Sequence, residues 1–73
     1  MKVTLESTTK TITLNGVPAR IWEGKTESGI AVHAFITRIA VHKDADCSQF
    51  EVELRECAAP SAGVAAYPAR LVL

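Results

Sequence analysis

The dipeptide Asn15-Gly16, set between two runs of alternating residues, constrains this chain more than any other feature. Both residues tolerate positive φ, and Asn-Gly is the preferred two-residue turn of a β-hairpin. Thr9 to Leu14 and Val17 to Glu23 therefore read as its two strands. In that register Leu14 faces Val17, Ile12 faces Ala19 and Lys10 faces Ile21. One face carries Ile12, Leu14, Val17, Ala19 and Ile21. The other carries Thr9, Thr11, Thr13, Pro18, Arg20 and Trp22. A slip of one residue would mix the two sets, so the pattern itself fixes the register. Pro18 has no N–H and has to sit where no ladder bond needs one.

Lys2 to Glu6 alternates as a short strand or the start of a longer one, and Ser7-Thr8-Thr9 interrupts the parity. Gly29 to His42 is the longest near-continuous apolar run and is rich in β-branched residues. Both of its alternate faces are substantially apolar. That pattern predicts a strand covered on both sides for part of its length, with the rest of the chain arranged around it. A buried helix is the rival reading, and a β-bulge near Thr37-Arg38 would let the core face switch. The turn at Lys25 to Gly29 then joins three antiparallel strands into a meander.

Asp44 to Cys57 reads as the single helix. Asp46 followed by Gln49 has the capping-box spacing, with Asp44 as the alternative cap. Cys47, Phe50, Leu54 and Cys57 form one helical stripe, the natural cover for a sheet face. Ala58-Ala59-Pro60 ends the helix. Ser61 to Ala66 reads as a loop. Tyr67 to Leu73 is expected to join the sheet as an edge strand or to add to a neighbouring subunit. The prediction is one domain, residues 1–73, of α+β class: an antiparallel sheet of three to five strands with one helix packed on a face.

Eight acidic and eight basic side chains are mixed along 73 residues. No polybasic run points to nucleic acid or anionic lipid. No apolar run is long enough to cross a bilayer, and the threonine-rich start does not resemble a signal peptide. A cytoplasmic protein is expected. A chain this short has a marginal core, and small domains compensate with disulfides, metals or oligomerisation.

Disulfide and metal are disfavoured in turn. Cys47 and Cys57 on one helix would be roughly 15 Å apart, beyond disulfide reach within one chain. They are expected to be free thiols packed as small apolar groups. His33 and His42 on one strand would be roughly 30 Å apart on opposite faces. No C-x-x-C or H-x-x-x-H spacing occurs. There is no G-x-S-x-G, and Glu51, Glu53 and Glu56 read as a solvated helix face. No enzyme activity and no cofactor are expected. That elimination leaves self-association, with a homodimer as the first expectation.

Arg20 and Trp22 are the residues that call for a role. The hairpin register puts both on the face away from the core stripe. Trp and Arg are the types most enriched at binding hot spots, and the chain has a single Trp. The plain alternative is that Trp22 covers the end of the core near the second turn. Phe35, His33 or Arg38 can join the patch, depending on the register of the second hairpin.

The strings N-G-V-P-A-R-I-W-E-G (Asn15 to Gly24), E-S-G-I-x-V-H (Glu27 to His33), I-T-R-I-A-V (Ile36 to Val41) and the terminal P-A-R-L-V-L resemble a group of short phage and prophage proteins of unknown function. The likeness covers most of the chain. It implies a phage product made in a bacterial host cytoplasm and acting by binding. The first expectation is an accessory protein that inhibits a host protein, such as a defence component, through the Trp22/Arg20 face. The second is an oligomeric sponge for a nucleotide signal, with Arg20, Arg38 and Arg70 on phosphates and Trp22 or Tyr67 stacked on bases. The third is a structural virion component.

Overall fold

The computed structural model describes residues 1–73. The fold is α+β and mostly sheet. Its elements are β1 (Val3–Leu14), β2 (Val17–Thr26), β3 (Ala31–Ile36), α1 (Cys47–Leu54), α2 (Ala62–Ala65) and β4 (Arg70–Leu71). The strand order is β3-β2-β1-β4.

The hairpin forms as the sequence dictates. Asn15 (φ 49°) and Gly16 (φ 81°) both take left-handed backbone. Leu14 pairs with Val17, Ile12 with Ala19 and Thr11 with Arg20. The register then breaks: Thr8, Thr9 and Lys10 face Ile21 alone before pairing resumes at Ser7 and Trp22. This bulge lies at the stretch that begins with Ser7-Thr8-Thr9, and it replaces the simple Lys10–Ile21 pair. Thr8 holds it from inside, almost fully buried, its hydroxyl donating to the Ile21 carbonyl at 2.7 Å and accepting from the Lys10 N–H at 3.2 Å. The inserted residues leave the parity unchanged across the bulge. The apolar residues do not keep to one parity, however. Ile12 and Leu14 lie on one face of β1, whereas Val3 and Leu5 lie on the other, beside Trp22. Gly24 sits opposite Leu5, where a Cβ would stand 1.7 Å from the Thr4 carbonyl oxygen.

The run from Gly29 to His42 is not the centre of the sheet. Only Ala31–Ile36 is strand, it lies at an edge, and none of it is fully buried. The two central strands are those of the hairpin. Pro18 accounts for the early end of β3. Arg20 pairs with Ile36, so a longer β3 would bring Arg38 opposite Pro18. Backbone groups of alternate β2 residues point to opposite neighbours, and Pro18 is one of those directed at β3. It has no N–H to give, and the chain leaves the sheet at Thr37.

The small core lies on the Ile12 face. Ile12, Ala19 and Ile21 meet Val64 of α2, with Leu14, Phe35, Tyr67 and Leu71 packed around them. The cover is therefore the C-terminal segment, including a short helix where a loop was expected. Ser61 caps it by accepting the Val64 N–H. The terminal segment then runs parallel to β1, pairing Thr13 with Arg70 and Leu14 with Leu71, so the sheet is mixed. Of 73 residues only six are buried. The radius of gyration is 13.3 Å, against roughly 11 Å for a compact domain of this length.

The long helix is shorter than its stripe. Asp46 is its N-cap, accepting the backbone N–H groups of Ser48 and Gln49. The helix ends at Leu54, before Cys57, and buries no residue. Cys47 is exposed and Cys57 half-buried, both free, so neither thiol is packed in a core as expected. Cys57 Sγ instead lies 3.6 Å from the Ser7 hydroxyl, which donates to the neighbouring Glu56 carbonyl at 2.8 Å.

Candidate functional site

Trp22, Arg20 and Pro18 alternate onto the sheet face opposite the core, because Ile21 and Ala19 between them are committed to it. β3 adds Ile36 beside Arg20 and Ala34 beside Trp22. The chain that leaves the sheet after Ile36 carries Arg38 and Ile39 over the same face, and α1 brings Phe50, Glu53 and Leu54. Together these residues enclose an open groove of about 360 Å³. That is within the range of sites that hold a small ligand or a partner side chain.

The groove is mostly apolar, with the basic Arg20 and Arg38 and the acidic Glu53 among its lining. Ile39 and Leu54 line it while remaining about half exposed, at 42% and 51%. Trp22 is partly buried against the floor. Arg20 is positioned by the bulge: its Nη1 donates to the Thr8 carbonyl at 2.6 Å. One edge of its guanidinium is thus tied down before anything binds. Arg38 is exposed and forms no ion pair. A group with an apolar body and a carboxylate or phosphate at one end matches this lining.

Three of the residues singled out in the sequence meet here: Arg20, Trp22 and Arg38. Three do not. His33 pairs with Glu23, on the core face of the sheet. Tyr67 covers that same face, and its ring stands edge-on to His33 and Phe35, with centroids 5.6 and 5.3 Å away. Arg70 lies on β4, at the far edge from β3. The reason is parity, since Trp22 and Glu23 are neighbours in β2 and His33 follows Glu23.

His33 belongs to a second cluster. Tyr67 Oη and His33 Nδ1 are 2.9 Å apart, and Nε2 of the same ring is 3.9 Å from Glu23 Oε1. Glu23 accepts the Ser61 hydroxyl at 2.5 Å and the Ser61 N–H at 2.8 Å. Those two bonds, with a smaller contribution from His33, hold the Glu23 carboxyl below the usual carboxylate range. The arrangement latches the cap of α2 to β2. It is not a nucleophile with a base, because the Ser61 oxygen is occupied as donor to Glu23 and as acceptor from Val64.

No family model matches this chain, and neither does any curated protein or solved structure. No helix is long and apolar enough to cross a membrane.

The contributions of Ile39, Phe50 and Leu54 were missed in the sequence. Phe50 and Leu54 carried a signal, the helical stripe, read as core. Ile39 carried none, since it lay inside an apparent strand.

Proposed function

We propose that this is a non-enzymatic binding protein, a phage accessory protein that inhibits a host protein through its Trp22/Arg20 face. A component of host defence is one candidate target. The observation that supports the reading is the open groove itself: an indole, a tethered guanidinium and a free one around an apolar floor, on a face with no lid. The occupant that fits is an apolar side chain of the partner next to an acidic one, since Arg38 and Arg20 supply the only positive charge at the lining.

The test is comparative. The wild-type protein and Trp22→Ala are used to capture partners from host lysate, and the captured protein is then purified and titrated with both. Binding by Trp22→Ala is expected to weaken by about 2 kcal/mol or more, as hot spots do, with its circular dichroism unchanged. Equal affinities for the two proteins would reject this face as the interface.

A second reading has one observation in its favour: Trp22, Arg20 and Arg38 share a groove large enough for a stacked base and its phosphate. A nucleotide sponge built on those three would gain thermal stability with a cyclic dinucleotide, by linkage. Tyr67 and Arg70 would take no part in that site.

A further inference from the structure

The two edges of the sheet are finished differently. Along β1 the C-terminal segment closes the edge. Ala58 bridges to Thr8, and the Thr13 and Asn15 N–H groups donate to the carbonyls of Ala69 and Leu71. Along β3 nothing does so. The Thr26 N–H donates to the Ile30 carbonyl at 2.9 Å, which sets the alternation: even-numbered residues of β2 and β3 bond to one another. Ala31, His33 and Phe35 therefore turn their N–H and C=O groups outward. No turn, cap or side-chain hydrogen bond reaches those groups.

Proteins guard such an edge with lysine, proline, a bulge or a covering segment. The strand Ala31-Val32-His33-Ala34-Phe35-Ile36 has none of these.

The geometry points to a second copy of this chain as the occupant of that edge. Two β3 strands related by a two-fold axis at His33 pair antiparallel, with His33 opposite its symmetry mate and Ala31 opposite the partner's Phe35. This register engages every outward residue of both strands, and a shift in either direction leaves some of them unpaired. It also sets Ile36 opposite the partner's Ile30, a side chain 63% exposed in the single chain. Val32 falls opposite the partner's Ala34. The interface is isologous and closes on itself, as a two-fold dimer requires. A copy fits better than an unrelated strand because the sequence is complementary to itself about His33. The core of the single chain, four buried hydrophobic residues, is also small for independent stability.

The pairing joins two sheets into one and leaves both Trp22 grooves on the same side, flanking the axis. It does not depend on what the grooves bind.

The test combines mass and amide exchange on the wild-type protein across a dilution series. A dimer is expected, with the Ala31, His33 and Phe35 amides protected in the dimer and exchanging once dilution yields monomer. The Val32, Ala34 and Ile36 amides are expected to stay protected in both, since β2 holds them. Ala31→Pro removes an outward donor without touching the β2 ladder, and should shift the equilibrium to monomer with unchanged Trp22 fluorescence. A monomer at every concentration overturns the inference. So does a dimer whose Ala31, His33 and Phe35 amides exchange freely, because its interface lies elsewhere.

Discussion

The two faces of this sheet carry comparable apolar side chains, but only one has a lid. On the Ile12 face, Val64 and Tyr67 come down onto Ile21 and Phe35, and Ser61 fastens the covering segment through Glu23. On the Trp22 face, α1 arrives with Phe50 and Leu54 but none of its own residues is buried, and Val52 and Leu54 remain more than half exposed. The difference lies in attachment. The C-terminal cover is anchored by hydrogen bonds at Ser7, Thr9, Thr13 and Asn15 along β1. The helix is capped locally by Asp46, and only the chain beyond its end reaches the sheet, where the Ser7 hydroxyl donates to the Glu56 carbonyl at 2.8 Å. An amphipathic stripe is thus not enough to make a cover; the backbone beside it needs a seam.

The sharpest way to break this contrast is a matched pair of truncations. Ile21→Ala should cost about 3 kcal/mol of stability, because Ile21 is fully buried under the anchored lid. Trp22→Ala, its neighbour on the open face, removes more atoms yet should cost less, about 1 kcal/mol or below. Chemical denaturation of both variants measures the order. If Trp22→Ala is the costlier, the second face is core and the groove is closed in solution.

Next in size is the latch. Ser61→Ala removes the α2 cap and both the hydroxyl contacts to Glu23 and Val64, and should cost about 1 kcal/mol. It should also alter the acid response. The folded-state pKa of Glu23 lies below its unfolded value. Its contribution to stability is therefore complete above the ordinary glutamate range and lost as pH falls through the lower folded value. Denaturation midpoints measured from neutral pH down to acid should show the wild-type protein losing more than Ser61→Ala does. Parallel curves would show that the latch carries no such linkage.

The hairpin and its core face were legible because three local signals agreed: the Asn-Gly turn, the alternation on both strands and the placement of Pro18. The Asp46 cap was legible for the same reason, since it is settled within four residues of chain. What was not legible involves competition between distant segments. Val64 and Tyr67 cover the core in place of Phe50 and Leu54, and nothing in either stretch ranks one above the other. The early end of β3 follows from the missing N–H of Pro18, which was visible in the sequence, but its consequence appears only once Arg20 is known to pair with Ile36. Of the candidate site, Arg20 and Trp22 followed from hairpin parity. His33 depended on a loop whose length the sequence left open, and Tyr67 on where the C-terminal segment comes to rest.

The bulge at Thr8 to Lys10 has a wider bearing. It stands between two lengths of hairpin that are oily on opposite sides, Ile12 and Leu14 beyond it, Val3 and Leu5 before it. Such a ribbon has no single wet side and dry side. Whatever shelters one end leaves the other bare, and a molecule shaped like this keeps a place open for company.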